Sequence, residues 1–135
     1  MIISLLISVN ILGQVTEDEI YINKEVPPVF PGGELKFYCF LDDNLDKSII
    51  SQNFDKKGFY IFTIDTTGKI NEIKVKRSIT KDIDNEIIRV LKLSPNWTPG
   101  RYIFEDRLKK MKLEMTLPFK IPYESKCLQL PQQND

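Results

Sequence analysis

Gly58-Phe59-Tyr60-Ile61-Phe62-Thr63-Ile64-Asp65-Thr66-Thr67-Gly68-Lys69-Ile70-Asn71-Glu72-Ile73-Lys74-Val75-Lys76-Arg77-Ser78 reads as an antiparallel β-hairpin. The first arm, Gly58 to Asp65, is dense in aromatic and β-branched residues, the composition of a largely buried strand. Asp65 to Lys69 is the turn, because Gly68 can take positive φ without steric cost. In the returning arm Ile73 and Val75 point one way while Glu72, Lys74 and Lys76 point the other, so one face of the sheet is wet.

Helical periods flank this hairpin. Downstream, Ile83, Ile87, Val90 and Leu91 form an apolar stripe. Thr80 or Asp82 can cap that helix, and Asp82, Asp84 and Glu86 are read as negative charge in its first turn, where the helix dipole favours it. Pro95 and Pro99-Gly100 end it and lead past Trp97, whose ring is large enough to plug the space between helix and sheet. Upstream, Val26 to Gly33 holds too many prolines for a central strand and reads as an extended lead-in. Gly32 and Gly33 permit an abrupt turn into a first helix from Glu34 to Leu45, with Leu35, Tyr38, Leu41 and Leu45 at helical spacing.

The last regular element runs from Lys110 to Ile121. Met111, Leu113, Met115, Leu117, Phe119 and Ile121 alternate with Lys110, Lys112, Glu114, Thr116, Pro118 and Lys120, the period of a half-buried strand. Pro118 cannot donate to a ladder, which places this strand at an edge of the sheet. The expected fold is therefore α+β: two helices packed on a three-stranded antiparallel sheet, in the order α-β-β-α-β. Its domain spans residues 20–122, and residues 123–135 read as a flexible tail.

Composition narrows the function classes. The 135 residues are 41% hydrophobic and 28% charged, enough for one soluble domain. Nineteen Lys and Arg balance nineteen Asp and Glu, so no net field draws in nucleic acid or an anionic membrane. The chain has no histidine, which excludes Ser-His-Asp chemistry and histidine-ligated zinc. Cys39 and Cys127 are the two cysteines. They can form a single disulfide, or Cys39 can be a small buried helix residue and Cys127 part of a loose tail. No nucleophile, base and electrophile can be assembled, so we expect no enzyme and no cofactor.

Residues 1–14 read as an export signal, with a buried N-terminal strand or a truncated membrane anchor as the alternatives: an apolar run from Ile2 to Leu12, shorter than the ~20 residues that span a bilayer, ahead of Glu17-Asp18-Glu19. Two weaker signals have plain readings. Asp82-x-Asp84-x-Glu86 lacks the glycine of a calcium loop and lies where a helix begins. Asp42, Asp43 and Asp46 read as a solvated helix face, and Lys74, Lys76, Arg77 and Lys81 as the wet side of a strand and helix start.

Several strings resemble one family in order and spacing. Val29-Phe30-Pro31-Gly32-Gly33-Glu34, then Phe40-Leu41 and Asn44-Leu45, resemble the lead-in and first helix of the C-terminal domain of TonB proteins of the Bacteroidetes type. Asp65-Thr66-Thr67-Gly68-Lys69-Ile70 with Val75 and Arg77-Ser78 resemble its hairpin. Ile83-Asp84-Asn85-Glu86 with Val90, then Pro95-Asn96-Trp97-Thr98-Pro99-Gly100, resemble its second helix and tryptophan turn, and Thr116-Leu117-Pro118-Phe119 its closing strand. Two departures stand out. Lys47-Ser48 replaces a Tyr-Pro, and the glycine between the Pro-Gly turn and the last strand is missing, so the loop from Arg101 to Lys109 is expected to differ from the family's.

The resemblance implies a periplasmic protein-binding module. TonB domains capture the TonB-box segment of outer-membrane receptors by strand addition, and the matching edge here is Lys110, Met111, Lys112, Leu113, Glu114, Met115 and Thr116. Lys112, Glu114 and Thr116 would choose between partners. Gly32, Gly33, Gly68, Trp97, Pro99 and Gly100 would be structural. The implied partner is a TonB-dependent receptor peptide or another envelope protein, with membrane association only through partners or an uncleaved N-terminal segment, and an open edge also allows strand-paired homodimers. A full TonB adds a membrane helix and a proline-rich spacer outside the matched strings. The alternatives are therefore an envelope scaffold or regulatory module, or a complete energy transducer whose true start lies upstream.

Overall fold

The computed structural model describes residues 24–104 and 107–127. The expected export segment, residues 1–14, and the last eight residues of the expected tail lie outside them. The elements are β1 (Lys24–Val26), α1 (Glu34–Asn44), α2 (Lys47–Ile50), β2 (Lys56–Ile64), β3 (Ile70–Arg77), α3 (Lys81–Lys92), β4 (Gly100–Phe104), β5 (Arg107–Met111) and β6 (Leu113–Ile121). They make an α+β fold with two antiparallel three-stranded sheets, ordered β3-β2-β6 and β1-β4-β5.

The hairpin forms as its composition demands. β2 and β3 pair from Ile64↔Ile70 outward. Asp65 organises the turn: Oδ1 accepts the Thr67 hydroxyl at 2.6 Å, the Thr67 N–H at 2.8 Å and the Lys69 N–H at 3.0 Å, while Oδ2 accepts the Asn71 amide at 2.6 Å. These bonds, led by the Thr67 hydroxyl, hold the Asp65 carboxyl down at about 2. Gly68 has φ 89°, and a Cβ there would lie 2.0 Å from the Trp97 carbonyl oxygen, so the turn needs glycine both for conformation and for space. Register shifts in the hairpin mark bulges, and Glu72 takes φ 51° at one of them.

The sheet buries Tyr60, Phe62, Ile64, Leu117, Phe119 and Ile121 on one face, in a single core with the helices. From α3 come Ile83, Ile87, Val90 and Leu91, each adding about 1.5–3 kcal/mol of apolar burial. Thr80 Oγ1 caps this helix by accepting the Ile83 N–H at 3.2 Å, and Arg89 and Lys92 occupy its last turn. Trp97 is core, as expected, at 6% exposure. Its ring packs against Phe30, Phe37 and Phe62 with centroids 5.4, 5.1 and 5.7 Å away, and its indole N–H donates to Ser94 Oγ at 2.8 Å.

That aromatic cluster also corrects the expected stripe of α1. Phe37, Leu41 and Leu45 are buried, whereas Leu35 is 43% exposed. Packing of Phe37 on both Phe30 and Trp97 turns the helix so that Leu35 faces outward. Gly32 and Gly33, with φ 86° and 96°, make the expected change of direction.

The acids also depart from expectation. Asp84 and Glu86 are buried and serve as acceptors in the fold, not only as charges for the dipole. Asp84 takes the Tyr60 hydroxyl at 2.6 Å, the Ile79 N–H at 3.1 Å and the Ser78 hydroxyl. Glu86 takes the Asp46 N–H at 2.9 Å and the Arg89 Nε–H at 3.0 Å, and the Arg89 pairing lowers its carboxyl. Asp46 caps the unexpected short helix α2 through the Ser48 N–H at 2.9 Å.

Candidate functional site

The expected closing strand is two strands. Lys110 and Met111 belong to β5, opposite Arg101 and Gly100, while Leu113, Glu114, Met115 and Thr116 belong to β6, opposite Ile64, Thr63, Phe62 and Ile61. Lys112 lies between them. The loop expected from Arg101 to Lys109 is instead a β-hairpin, β4–β5, and β1 pairs on its other side. Pro99-Gly100 delivers the chain into β4 close to β6, where a Cβ on Gly100 would lie 2.4 Å from Leu113 Cδ1. The Trp97 N–H donates to the Gly68 carbonyl at 2.7 Å, and Val29 and Thr98 exchange backbone bonds, which fixes this departure point against the hairpin turn.

Among the described residues, β6 pairs only with β2 and β5 only with β4, so both present an open border. The β2–β6 ladder runs from Lys56↔Ile121 to Ile64↔Leu113 with no register shift, passing Pro118 opposite Phe59. Glu114, Thr116, Pro118 and Lys120 are exposed, and Leu117, Phe119 and Ile121 face the core. Of the three expected selectors, Lys112 is engaged: its Nζ donates to Glu72 Oε1 at 2.9 Å, which lowers the Glu72 carboxyl. Glu114 and Thr116 remain on the solvated side.

The segment after β6 is not the loose tail expected of residues 123–127. Cys127 is joined to Cys39 of α1 by a disulfide. Tyr123 stacks on Phe119 with centroids 5.3 Å apart, and its hydroxyl donates to Asp42 Oδ1 at 3.2 Å. Burial, then the Asp42 charge, pushes the Tyr123 hydroxyl up, while the Lys47 ammonium, 2.8 Å from Asp42, holds that carboxyl down. Lys126 sits over the Tyr38 ring at 4.6 Å. Residues 122–127 form a strap over α1. Sequence carried one sign of it, the lone pair of cysteines.

Comparison with family models, with curated proteins and with solved structures finds no match in any of the three. The geometry therefore carries the functional argument.

Beneath the strap lies a cavity of about 290 Å³ between α1 and β6. Its apolar walls are Tyr38, Leu41, Leu117, Phe119 and Tyr123, and Lys57, Lys120, Lys126 and Glu124 stand around it. The consecutive residues Leu117 to Lys120 all line it, although they alternate between the two faces of β6. A space bounded by both faces of one strand lies against that strand's border. Sequence reasoning missed the cavity because the strap residues Tyr123 to Lys126, read there as a loose tail, close it over α1 and β6. Among the described residues there is no cluster of potential metal ligands, and no helix is long and apolar enough to cross a membrane.

Proposed function

We propose that this chain is a non-enzymatic, periplasmic binding module of TonB type that captures an extended peptide of an outer-membrane receptor by strand addition. The observation that carries the reading is the unpaired border of β6 along Leu113 to Thr116. Pro118 supports it. A proline is accommodated in a ladder where its nitrogen points away from the partner strand, and by alternation Glu114 and Thr116 then turn their backbone N–H and C=O groups outward. An incoming chain would meet a ready row of donors and acceptors.

The sequence resemblance supports the same reading, because α1, β2, β3, α3 and β6 follow the expected order α-β-β-α-β, with α2 and the β1-β4-β5 sheet added. The Cys39–Cys127 bond supports a location outside the reducing cytoplasm. Association with membranes then passes through the receptor. Titration of the isotopically labelled chain with extended receptor peptides, followed by backbone amide signals, tests the proposal. Shifts should cluster on Leu113 to Thr116. If millimolar peptide leaves those signals in place, capture at this border is wrong.

A further inference from the structure

Backbone pairing over four residues is a weak and unselective grip. Each hydrogen bond adds little on balance, about as much as is lost in ordering each residue of the visiting chain. A binding site built on such a border needs a place for a side chain.

We propose that the cavity beneath the strap is that place, and that it takes an aromatic side chain flanked by carboxylates, from an extended segment of another protein lying along β6. The proposal rests on the peptide-capture reading and names the class of peptide. Three observations carry it. Leu117 to Lys120 of β6 line the cavity, so a chain laid along that border beyond Thr116 runs beside it. Its volume of about 290 Å³ exceeds the ~150 Å³ that encloses a benzene ring, and is small for a whole cofactor, so it suits one large ring. Its walls are the rings of Tyr38, Phe119 and Tyr123 with the leucines 41 and 117, surfaces that favour offset or edge-on ring packing.

Charge sets the flanks. Lys57 and Lys120 stand directly opposite each other in the β2–β6 ladder, an arrangement that repels. Neither has a carboxylate partner among the described residues. The same pattern recurs farther along, where Lys110 is opposite Arg101 in the β4–β5 ladder. Lys126 adds a third cation at the cavity, against the single carboxylate of Glu124. Anionic side chains placed on either side of the ring would relieve the repulsion.

The test uses the full chain with its disulfide intact and calorimetry with three eight-residue peptides. The first carries two aspartates beside one tryptophan, the second has alanine for tryptophan, and the third has lysines for the aspartates. We expect the first to bind best and the second to be weaker by about tenfold or more. Lys120→Glu, a change at an exposed position, should weaken the first peptide and strengthen the third. If the first two peptides bind equally and both shift the Leu113 to Thr116 amides, strand capture stands and the pocket is refuted. If the Lys120→Glu variant leaves the affinities of the first and third peptides unchanged, the acidic flanks are refuted. If no peptide moves the border amides, both the capture reading and the pocket fall.

Discussion

Cys127 is bonded to Cys39 across 88 residues of sequence, so the end of the described chain is fastened to the first helix rather than trailing from the last strand. The bond closes nearly the whole domain into one loop. In the chain-entropy picture a loop of this length stabilises by about 4–5 kcal/mol through restriction of the unfolded state. Cys127→Ser should therefore lower the unfolding free energy by roughly 2–5 kcal/mol in denaturant titration. An unchanged midpoint would mean that the strap adds nothing to stability.

Gly68 and Trp97 are locked together by the bond from the Trp97 N–H to the Gly68 carbonyl. Gly68→Ala would combine a left-handed backbone with a Cβ placed against the Trp97 carbonyl, and should cost about 2 kcal/mol or more. Trp97→Ala, which empties the centre of the Phe30, Phe37 and Phe62 cluster, should cost about 3–5 kcal/mol. Thermal or denaturant unfolding checks both. A cost below that of an ordinary surface change at Gly68 would contradict the turn geometry.

Acid should weaken the hairpin in a defined window. The Asp65 carboxyl has a folded value of about 2 against an ordinary 3.8, so its hydrogen bonds favour the folded state above pH 3.8 and that contribution is lost as pH falls toward 2. Glu86 and Asp42 are lowered as well and act in the same direction. Stability measured from pH 5 downward should decline most steeply below about 4. Asp65→Asn should flatten part of that decline while lowering stability at neutral pH, and an unaltered acid limb would contradict the role of Asp65.

Thr116→Pro separates the ladder from the border. A proline there repeats the arrangement at Pro118, removing an outward N–H with less effect on the pairing with β2 than an inward one would have. It should reduce peptide affinity by about tenfold, while Thr116→Ala, which keeps the N–H, should leave affinity near that of the parent. Equal affinities for the two variants, in a chain whose folded circular dichroism is preserved, would argue against backbone capture.

The hairpin, the α3 stripe and Trp97 were legible because each depends on local period or on one large ring. The border between β5 and β6 was not. Alternation continues unbroken from Lys110 to Ile121, so the pattern marks a strand but carries no sign that its neighbour changes from β4 to β2 at Lys112. The β4–β5 hairpin was equally hidden, since Glu105-Asp106 between its arms lacks the glycine that announces a tight turn. On α1, Leu35 fitted the helical period as well as Phe37 did, and only the packing of Phe30 on Trp97 decides between them. The inward turn of Asp84 and Glu86 depends on Tyr60 and Asp46, partners far away in sequence. The place of β6 at the end of its sheet was readable from Pro118, while the cavity also needs the strap.

Hydrogen exchange at single residues addresses the border itself. In the free chain the Glu114 and Thr116 amides should exchange rapidly while those of Tyr60 and Phe62 are protected, and addition of an extended acidic, aromatic peptide should slow Glu114 and Thr116 selectively. Slow exchange at Glu114 and Thr116 before any peptide is added, or no slowing once a peptide is bound, would contradict capture on β6.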